Sequence, residues 1–182
     1  MKTAVLRKGS PLAPSRPEEI LRPINPWFIP LTFLVALLGN LFPLAGMPAM
    51  VRPDFLALVI LYWCIQEPRY VGIGVAWALG LVMDVADATV FGEHGLAYAV
   101  LAYAAEYFRR RVLRFRRWQQ APQVALLLII CAATVLLIRF VGGAPLPHWT
   151  YVVPPLSGAL LWPLASVLLQ WPQHPGRLSA ER

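Results

Sequence analysis

Long apolar runs dominate this chain, and the polar residues gather between them. A helix rises about 1.5 Å per residue, so about 20 apolar residues cross a hydrocarbon core of about 30 Å. Six runs reach or approach that length, over residues 27–47, 54–66, 70–89, 95–108, 122–141 and 149–171. The second is too short alone and needs residues 49–53 to reach the far interface. The third is interrupted by Asp84 and Asp87, and the fifth is nearly unbroken until Arg139. The sixth carries aromatics at both ends, as an interfacial belt would. The pattern predicts an all-α, polytopic integral membrane protein with six transmembrane helices over residues 27–171. A basic, proline-rich disordered tail over 1–26 precedes them, and a short tail over 172–182 follows.

Charge assigns the weave an orientation. With the N-terminal tail in the cytoplasm and six crossings, 14 of the 16 Lys and Arg residues fall on the inner side, leaving Arg52 and Arg139 outward. Cytoplasmic loops of membrane proteins carry such an excess. Parity also argues for the weak second helix. The tail and the basic segment over 109–117 share a side only if an even number of helices separates them. The expected location is therefore a bacterial inner membrane, with both termini cytoplasmic. Composition agrees, because 58% of the residues are hydrophobic and 14% charged, against about half and a quarter in soluble domains. The net charge of +7 then reflects topology, and nucleic acid is not an expected partner. The tail lacks an apolar h-region, so no cleavable signal peptide is expected. Cys64 and Cys131 stand inside apolar runs and read as small buried hydrophobes.

Three groups of residues carry the candidate chemistry. Gly72, Ala76, Gly80 and Asp84 recur every four residues on the third helix. Small side chains let a neighbouring helix approach closely in a bilayer, so Gly72, Ala76 and Gly80 form an expected packing seam. A carboxylate inside a span is costly and must find a partner. Asp84 and Asp87, with Arg52, Asp54, Glu93 and Arg139, map to one outer zone. They form an expected ion-pair network or partner interface, with an arginine as the expected partner of Asp84. Arg109, Arg110, Arg111, Arg114, Arg116 and Arg117 make a basic cytoplasmic turn suited to anionic lipid headgroups or a cytoplasmic partner. Glu106 is placed to pair with Arg109 or Arg110. His94, His148 and His174 are far apart and fit interfacial positions better than metal ligation. No nucleophile, HExxH pair or phosphate-binding glycine loop is visible, so no enzyme, cofactor or metal is expected.

Several of these residues resemble a known family. The run from Arg52-Pro53-Asp54-Phe55 to Leu61-Tyr62-Trp63, then Gly80-Leu81-Val82-Met83-Asp84, then Gly92-Glu93-His94-Gly95-Leu96-Ala97-Tyr98 look like the rod shape-determining protein MreD family. The basic 109–118 segment and Gly158-Ala159-Leu160-Leu161-Trp162-Pro163 resemble it too. The likeness covers about residues 24–172. It implies a non-enzymatic scaffold of the cell-elongation machinery, associated with MreC. Such a scaffold links the MreB filament to the peptidoglycan polymerase RodA and its penicillin-binding transpeptidase. It also implies a fold similar to the substrate-binding subunits of energy-coupling-factor vitamin transporters. The alternative is a transporter subunit of that type, with Asp54, Asp84, Asp87 and Trp77 lining an outward pocket.

Overall fold

The computed structural model describes residues 27–42, 51–143 and 152–170. The two expected tails, His148, His174 and the outer flanks of the first and sixth apolar runs lie outside the described residues. Among the described residues the fold is all-helical. It comprises α1 (Phe28–Leu41), α2 (Phe55–Gln66), α3 (Ile73–Ala86), α4 (Glu93–Leu113), α5 (Arg117–Val141) and α6 (Val153–Gln170).

Contacts between helix ends show α1 to α5 running alternately up and down. Asn40 at the end of α1 meets Asp54 at the start of α2. Asp84 near the end of α3 meets the first residues of α4, and Arg139 near the end of α5 meets Glu93. At the opposite end, Thr32 of α1 accepts from the Trp63 indole of α2 at 2.9 Å. There too Arg109 of α4 donates to the last carbonyls of α2.

The short α2 occupies the centre. Leu56 to Ile65 are buried except Val59, with α1, α4 and α6 packed around them. Its 12 residues span only about 18 Å, which would strand its backbone ends in hydrocarbon if lipid surrounded it. Protein closes both ends instead. Asp54 accepts from the Ala57 amide at 2.9 Å as N-cap, and Arg109 Nε donates to the Ile65 carbonyl at 2.6 Å.

The periphery is apolar. α5 and α6 are long and apolar enough to cross a membrane, yet only 22% of the α5 window and 39% of the α6 window is buried. The core helix of a soluble protein would be mostly covered. Leu156, Leu160, Leu164 and Leu168 lie exposed along one side of α6, and Leu31, Leu34, Val35 and Leu38 along α1. Soluble monomers rarely expose contiguous apolar faces of this kind.

Several boundaries differ from the sequence reading: α1 ends at Leu41 rather than at 47, and α3 covers Ile73–Ala86 rather than 70–89. α4 continues to Leu113, so Arg109, Arg110 and Arg111 stand on its last turns and only Arg114 to Arg116 join it to α5. Charge ends an apolar run without ending a helix, because arginine is a good helix former. α5 begins at Arg117, where Gln119 Oε1 accepts from the Arg116 amide at 3.3 Å, and Pro122 stands inside it.

Candidate functional site

The polar residues at the α3–α4 end of the bundle form two linked groups. The first is centred on Asp84, which is 1% exposed. Its Oδ2 accepts from the Gly92 amide at 2.8 Å and the Gly95 amide at 3.3 Å. Its Oδ1 accepts from the His94 amide at 2.8 Å and the Thr89 hydroxyl at 3.2 Å. The His94 ring Nδ1 lies 2.9 Å from the same oxygen. Gly92 is the N-cap of α4 and takes φ 96°, a conformation costly for any residue with a Cβ. Asp84 therefore supplies the cap that Gly92 lacks, reaching across from α3 to the unsatisfied amides of α4. The positive end of the helix dipole compensates its charge. An arginine was the expected partner; helix α4 itself takes that role.

Close approach makes this reach possible. A Cβ placed on Gly80 would lie 2.5 Å from the His94 carbonyl oxygen and 2.6 Å from the Gly95 backbone. The α3 and α4 backbones thus touch one turn before the carboxylate. Ala76, one turn further back, is fully buried. Gly72, the N-cap of α3, lies beside Glu106. Gly72 and Gly80 accordingly lie against α4, although Gly72 precedes the helix proper.

The second group is centred on Asp54. Its Oδ1 accepts from Asn40 Nδ2 at 2.8 Å, and its Oδ2 from the Tyr98 hydroxyl at 2.6 Å. Asn40 in turn accepts from the Phe55 amide at 2.9 Å and lies 3.9 Å from the Met83 sulfur. Four helices meet through these side chains. Asn40 and Tyr98 were not singled out as site residues by sequence reasoning. A lone asparagine in an otherwise apolar helix was the signal for the first, since polar groups in such helices bond across to neighbours.

Glu93, 2% exposed, binds Arg139 Nε at 2.5 Å, joining α4 to α5. Arg52 donates to the Phe42 carbonyl at 3.0 Å, and Asp87 is exposed at the C-cap of α3. Neither forms an ion pair among the described residues. At the other end, Arg109 turns to α2 rather than to Glu106. The carbonyls it caps have no other donor within the helix, whereas an exposed i,i+3 pair is worth a few tenths of a kcal/mol. Arg110, Arg111, Arg114 and Arg116 are exposed. The free cysteines Cys64 and Cys131 are both buried. Among the described residues no group of three potential metal ligands gathers.

A cleft of about 190 Å³ lies between α2, α4, α5 and α6, with Asp54, His94, Tyr98 and Arg139 at its polar side. Asp54 lines it, as the transporter alternative requires. Asp84, Asp87 and Trp77 do not, because Asp84 is engaged by α4 and Asp87 and Trp77 face outward.

Among the described residues, an all-helical bundle with apolar outer faces and polar side chains joining helix ends marks a membrane protein. The family model described as rod shape-determining protein MreD matches residues 21–171. The rod shape-determining protein MreD of Haemophilus influenzae is 31% identical over 149 residues, which cover 79% of this chain and 90% of that protein. The chain belongs to the MreD family of rod shape-determining proteins. No solved structure matches it.

Proposed function

We propose that this protein is a non-enzymatic scaffold of the cell-elongation machinery, crossing the inner membrane six times with both termini in the cytoplasm. The observation that carries the reading is the use made of its polar residues. Asp84 is saturated by the α4 terminus, Glu93 is paired with Arg139, and Asp54 is bonded to three other groups. Asp84 and Glu93, both buried, thus hold helices at fixed distances. The alternating helices and the 14 basic residues assigned to one side support the six-span topology. The Asp54, Glu93 and Arg139 end then faces the periplasm. Its surface and the neighbouring helix faces are the contact regions for MreC, RodA and the penicillin-binding transpeptidase. On the cytoplasmic side, exposed Arg110, Arg111, Arg114 and Arg116 meet anionic headgroups, at about 1 kcal/mol per basic residue, and the MreB filament.

Depletion of the protein in its native bacterium, followed by microscopy of cell width and length, tests the reading. Rods should swell into spheres, and MreC should co-purify with the full-length chain from detergent-solubilised membranes. Cells that kept their width would refute it. So would cells whose growth arrest was relieved by a supplied vitamin, which would identify a transporter subunit.

A further inference from the structure

The cleft between α2, α4, α5 and α6 carries an unbalanced charge. Arg139 at its edge is paired with Glu93, and the His94 ring sits on Asp84. Asp54 is different, because its three donors are the Asn40 amide, the Ala57 backbone and the Tyr98 hydroxyl, all neutral. No cation among the described residues lies within ion-pair distance of it. The flanking segments 43–50 and 144–151 contain no lysine or arginine and a single histidine, His148. Its side chain is not sealed, because Asp54 is partly exposed and lines the cleft. A carboxylate at membrane depth recruits an opposite charge wherever one can reach it.

Size narrows the class of that charge. Pockets for drug-sized ligands occupy roughly 300–1,000 Å³, and this cleft holds about 190 Å³. That is room for one long side chain. Leu128, Ala132 and Val135 of α5 also line the cleft, an apolar surface suited to the methylene stem of such a side chain. We infer that the cleft receives the lysine or arginine side chain of a membrane-flanking segment of a protein partner, its cationic head against Asp54. The inference rests on the scaffold reading in taking the occupant to be a protein. It adds where that partner is gripped and by what chemistry.

The test places a photo-cross-linking amino acid at Val135 of the full-length protein in its native membrane. A peptide of one partner protein should be captured, with a lysine or arginine within about one helical turn of the attachment point. Capture should fall roughly tenfold or more in Asp54→Asn, because removing one member of a buried charge pair weakens binding by at least that factor. Asp54→Glu should restore it. Undiminished capture in Asp54→Asn, a captured peptide lacking a basic residue, or capture of lipid or a second copy of this chain alone overturns the inference. If Asp54→Asn lowers the amount of folded protein, Ala132→Trp decides, since it fills the cleft and leaves Asp54 and its donors in place. Lost capture supports the inference and retained capture overturns it. Cross-linking reads contact whatever the cell shape, and depletion reads shape whatever the contact, so the two readings fail separately.

Discussion

Replacing Gly80 with alanine adds a single methyl group, and the geometry around it sets the size of the effect. The new Cβ would stand 2.5 Å from the His94 carbonyl oxygen, where ordinary contact begins at 3.4 Å. The neighbours on the far side are backbone atoms of α4, which cannot rotate aside, so the two helices must part by about 0.9 Å. Overpacking of this kind costs about 1–3 kcal/mol. Parting also stretches the 2.8 Å bonds from Gly92 and His94 to Asp84 beyond hydrogen-bonding range. Each bond to a charged group contributes about 1.5–3 kcal/mol. Alanine returns about 1 kcal/mol in helix propensity. Even with only one bond lost, the net destabilisation is about 3 kcal/mol. For a domain of this length that lowers the melting temperature by roughly 6–12 °C. Thermal unfolding in detergent micelles measures it, and Gly74→Ala on the same helix is the control. A Cβ at Gly74 meets nothing within 4 Å, so that variant should match or slightly exceed the parent. If Gly80→Ala melted within about 2 °C of Gly74→Ala, the close α3–α4 contact would not be holding the hairpin together.

Two further expectations follow from the same end of the bundle. Asp84→Asn preserves shape but removes the charge that draws in the α4 terminus. Hydrogen exchange of the Gly92, His94 and Gly95 amides should accelerate roughly tenfold or more, and unchanged protection would disprove the cap. Glu93→Leu and Arg139→Leu should each destabilise the protein by about 3 kcal/mol, near the low end for a broken buried pair because Arg139 is partly exposed. The double variant should be less harmful than the two effects added. Melting data additive to within about 0.5 kcal/mol would mean that the pair is not coupled.

Much of the architecture was legible because lipid leaves a strong imprint on sequence. Each of the six apolar runs overlaps one helix, and the second run, over 54–66, matches α2 almost to the residue. The doubtful length of that run has a physical explanation that no hydropathy window contains. α2 is sheathed by other helices, so bilayer thickness does not set its length. Helix ends beyond the apolar runs were not legible, because Arg109 to Leu113 continue α4 through charge. Asp84 was visible as a costly residue, but its partners are backbone amides, which carry no side-chain signature. The pairing of Gly80 with Gly95 across two helices, followed by the carboxylate one turn later, was the available clue. Tyr98 lay within a recognisable motif, yet nothing local indicates that its hydroxyl reaches Asp54, 44 residues earlier.

The saturation of Asp84 bears on how genetic data on this protein should be read. Four donors and the His94 ring nitrogen surround its two oxygens, leaving little lone-pair capacity for a proton, an ion or a ligand. A mutational scan scored on cell shape would nevertheless flag Asp84, Gly80 and Gly92 as intolerant and cluster them in space, as an active site does. Scoring protein abundance beside morphology separates the two cases. Variants at these positions should lose both together, whereas variants at a true contact surface should lose morphology while the protein persists.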